Sequence, residues 1–119
     1  MPEKIEPIKL IVCIVNRGKA ERITELCLAH RVALHLTMLG RGTADSKIKD
    51  YLGLGETEKD IVLVCVKKSV EKAFMEELTE MLKLNEEGNG IAFSIPLSSV
   101  AERGTLNLLS GFSVKEDLA

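Results

Sequence analysis

The stretch IKLIVCIV, Ile8–Val15, is apolar at every position but Lys9 and is rich in β-branched residues. Such a run is typical of a β-strand that is buried on both faces. The stretch IVLVCV, Ile61–Val66, is apolar throughout. Successive side chains of a strand point to opposite faces, so both faces of the sheet that these strands form need cover.

Two further strands and two helices are predicted around these runs. The strands are Ala33–Leu39 and Ile91–Leu97, and Pro96 predicts an edge position or a strand end for the latter. Lys19–His30 has apolar residues at helical spacing, which predicts the first helix. Ser69 is the predicted N-cap of the second helix. Its apolar stripe consists of Val70, Phe74, Leu78, Met81 and Leu82.

The element order β-α-β-β-α-β defines the predicted fold class. It is α+β, a ferredoxin-like βαββαβ sandwich in which a four-stranded antiparallel sheet carries two helices on one face. The other face has no helix of its own, and its apolar side chains predict cover by another copy of the chain. A short helix is expected within Asp45–Leu54. One domain is expected over residues 1–119, with a core of about 8–100 and a C-terminal extension, 101–119, that packs in part.

The composition is that of a globular protein. Of 119 residues, 45% are apolar and 29% are charged, and the net charge is −2. Without a basic stripe or an aromatic ladder, the sequence does not favour nucleic-acid binding. The run Ile61–Val66 is far shorter than a membrane span, and Met1–Lys4 lacks the start of a signal peptide. We therefore expect a cytoplasmic protein without membrane insertion.

The cysteines and histidines do not form a recognisable catalytic or metal motif. Cys13, Cys27 and Cys65 are isolated in apolar stretches, which predicts buried, reduced thiols. His30 and His35 lie on different predicted elements without a ligand cluster nearby. We therefore predict no catalytic residue, no metal site and no cofactor.

Glycine-rich turns are the local features that favour ligand binding. One such segment follows the second strand and consists of Gly40, Arg41, Gly42 and Thr43; the other precedes the fourth strand and consists of Gly88, Asn89 and Gly90. Such turns can present N–H groups to an anion, and Arg41 adds a planar cation. The alternative is two ordinary turns with a solvated arginine. The segment Asn16–Lys19 is likewise either an anion-binding site or an ordinary turn between a strand and a helix.

Three segments together resemble the nitrogen regulatory PII-type signal-transduction proteins. They are VNRGKAERI (Val15–Ile23), LGRGTADSKIKDYLGLGETEKDIVLV (Leu39–Val64) and GNGIAFSIPLSSV (Gly88–Val100). The resemblance covers about Ile8–Val100. It implies a non-enzymatic regulator that forms a homotrimer, binds an adenine nucleotide such as ATP, ADP or AMP in clefts between subunits, and docks on a protein target through a mobile loop, here residues 43–59.

By position, the resemblance implies that Gly40, Gly42, Gly88 and Gly90 line the cleft, with Arg103 near the basic C-terminal loop of the family. Together with their neighbours in the two turns, the predicted ligand-binding residues are Gly40, Arg41, Gly42, Thr43, Gly88, Asn89, Gly90 and Arg103. The sequence departs from the family pattern at Ile91, where the family has lysine, and at Asn89, where it has aspartate. A charge-assisted contact contributes about 1.5–3 kcal/mol, so the lost cation predicts weaker triphosphate binding than in the family. Tyr51 falls near the position of a modified tyrosine in some members, but its apolar spacing favours packing.

Other functions occur on the same superfold. The alternatives are a CutA-like metal-tolerance protein, an ACT-like sensor of amino acids and an acylphosphatase-like hydrolase. The hydrolase would use Arg17, in the turn Asn16-Arg17-Gly18, as its anion-binding arginine.

Overall fold

The two apolar runs form the central strands of a four-stranded antiparallel sheet. The computed structural model describes residues 6–41, 58–101 and 103–109. The strands are β1 (Ile8–Asn16), β2 (Leu34–Arg41), β3 (Glu58–Lys67) and β4 (Ile91–Pro96), and the helices are α1 (Ala20–Ala29), α2 (Lys68–Leu82) and α3 (Arg103–Leu109). The strand order is β2-β3-β1-β4. The predicted fold class is confirmed, and β4 is an edge strand, as Pro96 predicted.

One face of the sheet packs against α1 and α2 to form the core. From β1 this face presents Ile11, Cys13 and Val15, and from β3 it presents Val62, Val64 and Val66. The helices contribute buried side chains at helical spacing, namely Ile23 and Cys27 from α1 and Phe74, Leu78 and Leu82 from α2. Alternate residues of the two runs thus account for the helix-covered face.

Twelve alternate residues of the four strands form a second apolar face, which we call the open face. The strand registers align its side chains in three rows across all four strands. The rows are Leu34, Cys65, Leu10 and Ile95; Leu36, Leu63, Val12 and Phe93; and Met38, Ile61, Ile14 and Ile91. None of these twelve residues belongs to the core cluster with α1 and α2. The predicted second apolar face is therefore present.

The strands β2 and β3 extend further than predicted. Gly40 pairs with Lys59 and Arg41 pairs with Glu58, so the first half of the predicted glycine turn is strand. Cross-strand pairing continues past the glycine because β3 begins before its apolar run. The predicted 43–59 loop is therefore wrong at its end, since residues 58 and 59 belong to β3. The short helix predicted within Asp45–Leu54, including Tyr51, lies outside the described residues.

The prediction that Ser69 caps the second helix is wrong. Helix α2 begins at Lys68, its N-cap is Lys67, and no side chain of the cap residue makes a capping hydrogen bond. Instead, the Ser69 amide donates to Glu6 Oε2 at 3.0 Å, and the Lys68 amide donates to the Pro7 carbonyl at 2.9 Å. The pairing of Ile8 with Lys67 brings the preceding residues beside this helix start.

The helix α3 was not predicted, because the tail lacks a clear helical stripe. Within the described residues, none of the helices combines the length and the apolar character that crossing a bilayer requires.

Candidate functional site

Four strand ends meet at one end of the sheet, which we call the glycine end. It comprises Asn16 at the end of β1, Arg41 at the end of β2, Glu58 at the start of β3 and Ile91 at the start of β4. The antiparallel registers place these ends together, since Asn16 pairs with Lys59 and Ile91 pairs with Ile14. The described residues of both predicted glycine segments lie at this end.

The turn between β1 and α1 is occupied by a carboxylate of the chain itself. Asp60 Oδ2 accepts hydrogen bonds from the Gly18 amide at 2.8 Å and the Ala20 amide at 3.3 Å. Asp60 Oδ1 lies 3.1 Å from Arg17 Nε, and Asp60 is only 5% exposed. The amides at the start of a helix are an anion seat, but here the anion is internal. The seat predicted for an external anion at Asn16–Lys19 is therefore filled.

Arg17 is held by the first three residues of β3. Its Nη1 lies 3.3 Å from Glu58 Oε2, and its Nη2 donates to the Lys59 carbonyl at 3.3 Å. Together with the Asp60 contact, these interactions fix the guanidinium against the strand start. The acylphosphatase-like alternative would need Arg17 to face a substrate, and in this structure it faces β3.

Lys59 and Asn16 connect β3 to the glycine turn before β4. Lys59 is 2% exposed, and its Nζ donates to Asn16 Oδ1 at 2.6 Å. The Asn16 Nδ2 in turn donates to the Gly88 carbonyl at 3.1 Å. This chain of hydrogen bonds ties the start of β3, the end of β1 and the turn into one polar unit.

Lys59 and Asp60 were not predicted as site residues from the sequence. The available signal was the charged triplet Glu58-Lys59-Asp60 directly before an apolar strand. Consecutive strand residues point to opposite faces, so Lys59 lies on the open-face side and Asp60 on the helix side. The contacts of each could not be predicted from the sequence, because the partners lie 40 or more residues away in the chain.

The turn before β4 requires glycine at two positions. Gly88 has φ +89° and Gly90 has φ +113°, values that residues with a Cβ rarely adopt. A Cβ on Gly90 would also meet the Ile14 carbonyl oxygen and would lie 3.0 Å from the Val15 Cα. Between the two glycines, the Asn89 Nδ2 donates to the Lys83 carbonyl at 3.0 Å, which anchors the turn to the end of α2.

The predicted ligand residues fall into two groups at opposite edges of the sheet. Gly40 and Arg41 end β2, whereas Gly88–Gly90 precede β4, and both β1 and β3 lie between them. With strands about 4.8 Å apart, the two edges are roughly 14 Å from each other. A single chain does not bring the two groups together. Gly42 and Thr43 lie outside the described residues, and so does the side chain of Arg103, which begins α3.

The cysteines are buried and unpaired, as predicted. Burial raises the pKa of Cys13 to about 12, with a smaller contribution from Cys27, and raises the pKa of Cys27 to about 11. Burial also raises the pKa of Cys65. A thiol reacts as its thiolate, so such values oppose thiol catalysis near neutral pH.

His30 packs the end of α1 against α2. His30 contacts the Glu77 carboxylate and lies edge-on to the Phe74 ring, with ring centroids 5.5 Å apart. It thereby joins the end of α1 to α2. In residues 6–41, 58–101 and 103–109, no three His, Cys, Asp or Glu side chains are grouped so that they could hold a metal ion.

Comparison with known proteins shows similarity at the level of the fold. No protein-family model and no curated protein matches the sequence. Among solved structures, CPII from Thiomonas intermedia, bound to ADP, AMP and acetate, matches with a TM-score of 0.57 and 14% identity, over 82% of this chain and 94% of that one.

Two further structures match similarly. CutA1 from Oryza sativa has a TM-score of 0.63 and 12% identity, over 88% of this chain and 92% of that one. A protein of Thermus thermophilus described as a PII-like signaling protein has a TM-score of 0.58 and 16% identity, over 77% of this chain and 87% of that one. The chain therefore has the ferredoxin-like fold that PII-like proteins and CutA1 share.

Proposed function

We propose that this chain is a non-enzymatic regulatory protein of the PII type. In this proposal three copies assemble through their open faces, and a small anionic ligand, an adenine nucleotide, binds in the clefts between copies. The open face is the observation that carries the proposal, because all twelve of its side chains are apolar.

The open face is too apolar to be an ordinary solvated surface. Leu36, Met38, Phe93 and Ile95 are each at least 40% exposed in the single chain. Contiguous apolar patches on monomers mark interaction sites, and antiparallel sheets usually carry polar residues on a solvated face. A second sheet of the same composition is the simplest complementary partner, and closed symmetry completes the assembly.

Assembly also accounts for the separation of the two groups of ligand residues. Gly40 and Arg41 lie at one edge of the sheet and Gly88–Gly90 at the other, at the same end. A cleft with both groups as walls therefore takes its walls from two copies. Arg41 pairs with Glu58 at the first wall, and the proposal assigns the response to ligand to the segment between these two residues.

Two observations support the class of ligand: the exposed guanidinium of Arg41, and the nucleotides bound to a protein of the same fold. Arg41 is exposed at the glycine end and suits bidentate binding of phosphate. CPII, which shares the fold, is bound to ADP and AMP. Ile91 supplies no charge beside the second wall, so a nucleotide with one or two phosphates fits this chain better than a triphosphate. The protein target would bind residues 42–57 in one state of the trimer, either with ligand or without it.

A thermal-shift titration with AMP, ADP and ATP tests the ligand. A ligand that binds only the folded state stabilises it by RT ln(1 + [L]/Kd), about 2.7 kcal/mol at 100 times Kd. We expect Tm to rise by several degrees with AMP or ADP, and Arg41→Ala to abolish the rise. The control Lys72→Gln removes an exposed cation of α2 and should leave the rise unchanged. An assembled protein whose Tm ignores all three nucleotides would overturn the nucleotide proposal.

A further inference from the structure

A cavity lies at the glycine end, between the start of α1 and the end of α2. Its volume is about 230 Å³, and its lining consists of Asn16, Lys19, Arg22, Met81, Leu82, Lys83 and Asn89. Three elements contribute to it: the turn before α1 with the first turn of that helix, the end of α2, and the turn before β4. No carboxylate belongs to the lining, whereas three side chains carry positive charge.

The three cations converge because of local geometry. Lys19 and Arg22 are three residues apart, so they lie on the same face at the start of α1. Lys83 is the C-cap of α2 with φ 53°, a left-handed conformation that turns the chain at this point. In the described part of the chain, no Asp or Glu oxygen lies within 4 Å of the charged nitrogens of these three residues.

The Lys83 carbonyl at the end of α2 has hydrogen-bond partners within the chain. The Lys83 carbonyl accepts hydrogen bonds from the Glu86 amide at 3.0 Å and from Asn89 Nδ2 at 3.0 Å. It is therefore already satisfied at the helix terminus. Glu86 and Glu87 are exposed and lie outside the lining of the cavity. The cavity thus concentrates positive charge on a chain whose net charge is −2.

We propose that this cavity binds a small multivalent anion of the phosphate class, at a site formed within one chain. The proposal is separate from the nucleotide cleft. The cleft needs two copies and Arg41, whereas the cavity takes only Asn89 from the residues predicted for the cleft. Three cations on long side chains around one anion give charge-assisted contacts whose strength falls with salt.

Isothermal titration with pyrophosphate, at 20 mM and then 150 mM salt, tests the proposal. We expect binding that weakens at higher salt and that becomes at least about tenfold weaker in Arg22→Gln/Lys83→Asn. Both positions are exposed, and asparagine tolerates the left-handed conformation at position 83, so the variant should fold. The matched control Lys68→Gln/Lys72→Gln also removes two cations and should bind as the wild type does.

A second arm uses ribose 5-phosphate to distinguish inorganic from organic phosphate. Binding of either compound with the stated loss in the double variant supports the proposal and assigns the source. No binding of either compound, or equal binding in the wild type and Arg22→Gln/Lys83→Asn, would overturn the proposal.

Discussion

At the residue scale, the Asp60 carboxylate organises the glycine end. It is nearly buried, and a buried charge is tolerated when it is paired and hydrogen-bonded. The amides of Gly18 and Ala20 and the Arg17 guanidinium meet these needs. The turn before α1 therefore depends on a residue 40 positions further along the chain.

Asp60→Asn should lower the free energy of unfolding by about 1.5–3 kcal/mol, because it removes the charge from three hydrogen-bonded contacts. Urea denaturation measures the loss. Glu58→Gln is the matched control: Glu58 also pairs with Arg17, but its side chain is 64% exposed, so the cost should be about 0–1 kcal/mol. Equal losses in the two variants would contradict the assigned role of Asp60.

The buried thiols predict a decrease of stability in alkaline solution. The unfolded chain loses thiol protons near pH 9, the ordinary cysteine value, whereas the pKa is about 12 for Cys13 and about 11 for Cys27 in the folded chain. Above pH 9 the folded state therefore holds more protons than the unfolded state, and stability falls as pH rises. Thermal melts from pH 8 to 11 should show a steeper decline for the wild type than for Cys13→Ala/Cys27→Ala. Parallel profiles would refute this explanation.

At the element scale, periodicity predicted the four strands and the first two helices but not where they end. The two-sided apolar runs of β1 and β3 were sufficient to predict a sheet with two apolar faces. The end of β2 was not predictable, because Gly40 and Arg41 are held by pairing with β3 and not by their own propensities. The start of α2 likewise contacts Glu6, which the pairing of β1 with β3 brings beside it.

The candidate site was predictable only in part. The glycine segments were visible in the sequence, and Gly88 and Gly90 do adopt positive φ. The grouping of those segments at one end of the sheet follows from the strand order. The pairing of Asp60 with Gly18 joins distant positions and was not readable from spacing.

Replacing Gly88 and Gly90 by alanine, one at a time, distinguishes the stability cost of backbone strain from that of a steric contact. A Cβ on Gly88 meets nothing within 4 Å, so Gly88→Ala should cost only the left-handed strain, about 1–2 kcal/mol. A Cβ on Gly90 also meets the backbone of Ile14 and Val15, which cannot move without disturbing β1. Gly90→Ala should therefore cost clearly more, as measured by urea denaturation of both variants. A Gly90→Ala loss no larger than that of Gly88→Ala would show that the contact with β1 is not tight.

At the scale of the whole molecule, the sheet separates two kinds of packing. Helices cover one face within the chain, and in the proposed assembly other copies cover the open face. The glycine end joins the two, since Lys59 and Asn16 lie on the open-face side while Asp60 lies on the helix side. Assembly and ligand binding would therefore meet at the same polar unit.

Sedimentation equilibrium of the wild type and two variants tests this account most directly. Leu63→Glu places a charge in the central row of the open face, whereas Leu28→Glu changes a leucine of α1 that is 71% exposed. We predict that the wild type and Leu28→Glu sediment as three 13.1 kDa chains at micromolar concentration and that Leu63→Glu is a folded monomer. A wild type that sediments as a folded monomer, or a Leu63→Glu variant that still assembles, would contradict the claim that copies of the chain cover the open face.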